Sequence, residues 1–203
     1  MTQEKTTINK IEKKGVYALH KPAQNAAPII LDSPHSGDNY PDDFKHACTR
    51  ADLETIKDAY VDELFADAPH YNATLLCALF PRSYIDVNRA RDDIDDLLID
   101  APWPTGHDPI RPTSRSHAGI GLINRLIRPG KPIYDHKLSP QEIMTRVKNY
   151  YDPYHDTLRS TLEDAYYNHG QFWHINCHSM PSKSAYPKRN ITFIGGRQHP
   201  SDI

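Results

Sequence analysis

Apolar positions along this chain fall in short blocks separated by polar, proline-punctuated stretches. Pro28-Ile29-Ile30-Leu31-Asp32 stops at Ser33-Pro34 and predicts a buried strand. Thr74 to Phe80 predicts a second strand, and Ser83-Tyr84-Ile85-Asp86-Val87 a third. Between the first two, residues Thr49 to Ala68 carry helical spacing. Ser139-Pro140-Gln141-Glu142 reads as a helix start, with a capping serine, a proline at the first position and an early glutamate. That helix is expected to run to about His169, bent or broken at Pro153. Phe172 to Asn176 predicts one more strand, ending at Cys177-His178-Ser179. Strands alternating with long helices predict an α/β fold: a mixed, largely parallel sheet flanked by helices.

The remaining stretches are placed by their polarity. Residues 1–25 read as an N-terminal extension, and residues 91–118, acidic and then proline-rich, as a long surface excursion. With 203 residues the chain suits a single domain. Its 24 basic and 26 acidic side chains exclude charge-driven nucleic-acid binding as the main activity, because phosphate neutralisation needs a basic surplus. Cys48, Cys77 and Cys177 form no CxxC pair, so neither a disulfide framework nor a cysteine zinc site is indicated. The polar start lacks an apolar signal region, and no run approaches a membrane span, so a soluble cytoplasmic protein is expected.

The 12 histidines then become the chemical question, since imidazole is a favoured metal ligand and proton shuttle. In open α/β sheets active residues collect past the carboxyl ends of strands. His35 and His178 occupy such positions, each followed by serine. A hydrolytic zinc site takes three protein ligands and keeps one position open, and these two histidines supply two. For the third, Asp38 lies three residues after His35, although Gly-Asp-Asn is also a natural turn. Asp58 and Asp62 are four apart, which on a helix is one face; a solvated face is the plainer reading. Arg82 and Arg89 bracket an apolar run, with Asn88 adjacent, and arginine suits bidentate capture of a carboxylate. Arg89 is equally suited to pairing with Asp86 or with Asp92 to Asp96. No GxSxG, Walker, GxGxxG or HExxH pattern occurs, and Gly195-Gly196 is too little for a phosphate loop. The aromatic run Tyr150 to His155 reads as core packing.

Taken together, the segments resemble the N-formylglutamate amidohydrolase family. The resemblance rests on Asp32-Ser33-Pro34-His35-Ser36-Gly37, on Asp58 with Val61-Asp62-Glu63-Leu64, and on Arg82 with Tyr84 to Arg89. It continues in Gly130 to Tyr134, in Pro153-Tyr154-His155 and in Ile175 to Ser182, spanning roughly residues 28 to 197 in family order. It implies a zinc-carboxypeptidase-like fold, zinc held by His35, Asp58 and His178, and a substrate carboxylate held by Arg82, Asn88 and Arg89. Asp58 fits the family pattern best as the acidic ligand; Asp38 and Asp62 are the alternatives. The implied substrate is a small acidic N-acyl amino acid, N-formylglutamate, cleaved to formate and glutamate in histidine degradation.

The chain also departs from the family. Members continue through a Gln-Leu-Glu motif whose glutamate resembles the carboxypeptidase general base, whereas here Glu163 is the last glutamate and Asp202 the only later carboxylate after Asp164. The resemblance therefore implies a C-terminally incomplete sheet and leaves the catalytic base unassigned. Two other readings remain: a non-catalytic module that keeps its metal and carboxylate sites, and an amidase for another N-acyl amino acid or peptide.

Overall fold

The structure, a computed structural model, describes residues 7–180. The 192–199 segment with Gly195-Gly196, and Pro181, Ser182 and Asp202, lie outside the described residues. The chain enters as a hairpin, β1 (Ile8–Lys13) and β2 (Tyr17–Pro22), turning at Gly15 with φ +75°. Next come β3 (Ile29–Ser33), short helices α1 (Arg50–Glu54) and α2 (Val61–Leu64), and β4 (Thr74–Ala78). A one-turn helix α3 (Ser114–His117) precedes the small ribbon β5 (Leu126–Arg128) and β6 (Lys131–Pro132). Helices α4 (Pro140–Arg146) and α5 (Asp152–His169) lead into β7 (Trp173–Asn176).

The described residues form a mixed five-stranded sheet in the order β1-β2-β4-β3-β7. Strands β4, β3 and β7 run parallel, with Leu31 opposite both Leu75 and Ile175. β1 and β2 join antiparallel, Leu19 facing Leu76. The expectation of a largely parallel sheet is thus corrected: two of the four pairings are antiparallel, and the β5–β6 ribbon adds a third. The cause lies in residues 8–22, part of the stretch read as an N-terminal extension, which supply two strands of the sheet. β1 is almost wholly exposed and charged, as suits an edge strand that must not recruit another chain, and its polarity hid it.

Alternation on the buried strands feeds two cores. Leu76 and Ala78 of β4 pack with Phe80, Tyr84, Ile143 and Tyr154 beneath α4 and α5, while Leu75 and Cys77 face Val61 and Cys177 on the side of α2. The Ser139 cap forms as predicted, its hydroxyl accepting from Glu142 N and the Glu142 carboxylate accepting from Ser139 N. Pro153 neither breaks nor ends the run. A π turn over Val147–Tyr151 joins α4 to α5 directly before it, widening the ladder where proline removes a donor. Gly170, at φ +70°, stops the helix.

Two further expectations are corrected. Thr49 to Ala68 is not one helix but α1 and α2, separated at Tyr60 with φ +64°. Ser83 to Val87 is turn and coil, although Ser83, Tyr84, Ile85, Asp86 and Val87 are all buried. Unbroken burial of polar and apolar neighbours alike mimicked an interior strand. The 91–118 stretch has little regular structure, yet it buries Ile94, Leu98 and Ile99 and anchors Asp93 and Asp95 inside the protein. Among the described residues, no helix is long and apolar enough to cross a membrane.

The loop after β3 is pressed onto the end of β4. A Cβ on Gly37 would stand 2.5 Å from Phe80 O and 2.6 Å from Leu79 O, and backbone there cannot yield. Gly37→Ala is therefore expected to destabilise the fold by about 1–3 kcal/mol, as overpacking does. Denaturant melts check this, and an unchanged midpoint would show that the loop has slack.

Candidate metal centre

The carboxyl ends of β4, β3 and β7 point the same way, and the chain segments leaving them meet. The loop after β3 is tied by a 2.6 Å hydrogen bond between the hydroxyls of Ser33 and Ser36. Ser36 Oγ donates to Asp58 O (3.2 Å), and Asp58 N donates to His35 O (3.2 Å). Because the backbone leaves helical geometry after α1, Asp58 turns toward His35. The helix face imagined for Asp58 and Asp62 does not exist, and Asp58 reaches the site for a different reason. On the β7 side, Cys177 N donates to Asp32 O (2.8 Å), extending the strand pairing by one residue and delivering His178.

His35, Asp58 and His178 offer ligand atoms that all lie within 4.8 Å of one another, a set of two imidazoles and a carboxylate suited to a divalent cation. His178 donates from Nδ1 to Asp58 Oδ2 (2.7 Å), and His35 Nδ1 lies 3.3 Å from the same oxygen. His35 donates from Nε2 to Asp86 Oδ1 (2.7 Å). That bond fixes the ring and leaves Nδ1 facing the cluster, the carboxylate–histidine arrangement typical of metal ligands. On the far side of its ring, His178 Nε2 lies 3.1 Å from the Asn88 side-chain amide, Nδ2. The residues fit a metal.

Arg82 has a different place from the one expected. Its two terminal nitrogens donate to Asp58 Oδ1 (3.2 Å) and Asp86 Oδ2 (2.8 Å), so here they are engaged by carboxylates of the protein itself. Arg89 donates from Nε to Ile120 O (3.2 Å) and stands 4.0 Å from Asp86 Oδ2. Both readings of Arg89 thus remain physically compatible. The backbone of this turn is secured by α5 and the π turn: His155 Nε2 donates to Val87 O (2.9 Å), and Tyr151 OH donates to Arg89 O (2.9 Å). Asp38 is outside the cluster, exposed and paired with Lys57 (3.3 Å); with Asp62 it lines a separate surface hollow.

Sequence reasoning underrated Asp86, which is fully buried and orients His35. A lone carboxylate inside an apolar run was the available signal, since such a group must have partners. It also passed over Asp32, buried and accepting from Tyr154 OH (2.8 Å), His174 Nε2 (2.8 Å) and Asn176 Nδ2 (3.5 Å). Asn176 donates as well to Asn88 Oδ1 (3.3 Å), so Asp32 steadies the amide that backs His178.

Charge in the cluster is balanced by contact. Burial would raise the Asp86 carboxyl, but the His35 bond, the Arg82 charge and Asn88 N hold it well below the ordinary carboxylate range. Asp58 is likewise lowered: bonds from His35 and His178 and the Arg82 charge outweigh its burial. For His35, burial pulls the pKa down, yet its two aspartate partners win and raise it.

The fold and site define a mixed α/β protein with a histidine–aspartate–histidine group that could hold a metal ion at the carboxyl edge of its parallel strands. The sequence profile described as N-formylglutamate amidohydrolase matches residues 27–201. The chain belongs to that family. A crystal structure of N-formylglutamate amidohydrolase from Ralstonia eutropha JMP134 is similar, with a TM-score of 0.79 and 42% identity, over 84% of this chain and 60% of that one. The chain thus spans less than two thirds of that relative. No curated protein matches it.

Removing the group that orients His35 tests the site without removing a ligand. Asp86→Asn should weaken zinc binding by about 10–100-fold, while His35→Ala and His178→Ala abolish it. Calorimetric titration with zinc decides, and full occupancy in both alanine variants would refute the assignment.

The same contacts set a pH dependence in chelator. His35, raised above its ordinary 6.5, stabilises the fold below that pH and loses its contribution as pH rises through the raised value. Asp58 and Asp86, lowered from 3.8, stabilise above that pH and fail only in stronger acid. Metal-free protein should therefore melt highest between about pH 4 and pH 6.5 and lose stability toward pH 8. A midpoint that rises over that interval contradicts the pairing.

Proposed function

We propose that the chain is a metal-dependent amidohydrolase that cleaves the N-formyl amide of an acidic amino acid, N-formylglutamate to formate and glutamate. The observation that carries this reading is the His35–Asp58–His178 cluster beside Asn88 and Arg89, in a member of this family. Zinc is the metal best suited to two imidazoles and one carboxylate, and bound there it supplies Lewis-acid polarisation of water and of the formyl carbonyl.

The chain's own residues do the positioning. Asp86 holds the His35 ring and Arg82 keeps Asp58 and Asp86 ionised and in place. Arg89, whose terminal nitrogens make no hydrogen bond among the described residues, takes a substrate carboxylate. Asn88 stands between His178 and Arg89 along the same turn, so ligand orientation and substrate orientation share one backbone. Holding the carboxylate fixes the amide carbon against the metal site, which removes most of the entropic cost of meeting water. Water adds to the formyl carbon, the carbon–nitrogen bond breaks, and the nitrogen leaves protonated as the free amino group.

A second reading, a metal- and carboxylate-binding module without turnover, is favoured by one observation. Both carboxylates in the cluster are bonded to Arg82, so neither is free to act as a base. Formate release from N-formylglutamate, with zinc and with chelator, separates the two. Zinc-dependent release is the expected result. One zinc per chain without formate would overturn the enzyme reading and support the module.

A further inference from the structure

N-formylglutamate carries two carboxylates, and Arg82, one of the two arginines expected to hold them, is engaged by Asp58 and Asp86. A second cation is needed, and the 91–118 stretch brings one. Thr113 donates from its backbone N to Asp93 Oδ1 (2.8 Å) and from its hydroxyl to Asp93 Oδ2 (3.1 Å), clamping α3 to a buried aspartate. Thr113 and Ser116 cap the turn reciprocally. Gly121 lets the following loop close against it, since a Cβ there would stand 2.6 Å from Asp93 O and from Ser116 Cβ.

This clamp ties Arg115 to Arg89 through one residue. Ile120 N donates to Arg115 O (2.9 Å), and Ile120 O accepts from Arg89 Nε (3.2 Å). Among the described residues the Arg115 side chain has neither a carboxylate partner nor a hydrogen bond, whereas Arg50, Arg82, Arg91, Arg111, Arg125 and Arg159 are each paired with an acid. Burial lowers the Arg89 guanidinium from its ordinary value; Asp86 opposes that, and the Arg115 and Arg82 charges add to it. Arg115, through its backbone, and Arg89, through its side chain, are thus tied to the same residue, Ile120, and with no acid paired to it among the described residues the exposed Arg115 guanidinium is open to an anion.

We propose that Arg115 is a specificity-determining residue that binds the second carboxylate of a dicarboxylic N-acyl amino acid, beside the carboxylate held by Arg89. The inference rests on the proposed function and names what selects its substrate. Arg115 is exposed and its fold contacts are all made by its backbone, so Arg115→Ala should fold normally.

The test compares N-formylglutamate with N-formylglutamine, which differs only in the side-chain carboxylate, by calorimetric titration of the full chain with zinc present. The unmodified protein should prefer the glutamate derivative. Arg115→Ala should cut that preference by about tenfold, the scale of one hydrogen bond to a charged group, while binding the glutamine derivative as before. Arg115→Lys should restore part of it, and Arg128→Ala, another exposed arginine, should change nothing. If Arg115→Ala keeps the full preference, this inference is overturned and the proposed function stands. If the unmodified chain binds neither compound, both fall together.

Discussion

The bond between Asp86 and His35 is the interaction on which this site depends. Both groups are buried almost completely, and an ionised carboxylate so placed is tolerable only with charged and hydrogen-bonded partners around it. Arg82 supplies the charge, Asn88 N and His35 supply the bonds, and Asp58 completes the ring through Arg82 and both histidines. Removing any member strands the others inside the protein. The loops after β3 and β7 and the chain beyond β4 are thus locked to one another by electrostatics, and the sheet's role is to deliver them to the same edge.

That arrangement makes stability and function share atoms. A site assembled from buried ions has little tolerance for displacement, so the supports are themselves rigid: Gly37 pressed on the end of β4, Asp32 held by Tyr154 and His174, and the Val87–Arg89 turn held by Tyr151 and His155. The π turn before Pro153 belongs to this set, because it keeps α5 continuous with α4 and so keeps Tyr151, Tyr154 and His155 in register beneath the site. Residues 91–118 are held the same way. Asp93 binds Thr113, Asp95 binds Arg125 (2.6 Å), and a proline-rich stretch with little regular structure gains fixed geometry from two buried acids.

Much of the site was legible from position along the chain. His35 and His178 follow apolar runs that end abruptly, and a strand that stops in polar residues presents them at the sheet's edge. Asp58 was reached by resemblance, and the helix argument offered for it was wrong, because Tyr60 takes a left-handed conformation that periodicity does not reveal. Arg82 shows a related limit: a guanidinium fits a substrate carboxylate and an internal one equally well, and only the tertiary structure shows its terminal nitrogens on Asp58 and Asp86. Asp86 was visible as an acid in an apolar run, but its partner lies 51 residues away.

By itself the sequence determined the buried strands β3 and β4, the capped helix from Ser139, the two strand-end histidines and the family, because these depend on local hydrophobic patterning, capping chemistry and motif order. Tertiary structure alone decided that a polar N-terminal hairpin joins the sheet antiparallel, that Ser83 to Val87 is coil, that Arg82 pairs with acids of its own chain and that Ile120 links the Arg115 backbone to Arg89. Each of those turns on which distant groups meet in the interior. Buried charges and edge strands take their meaning from partners far along the chain, and local pattern carries no record of them.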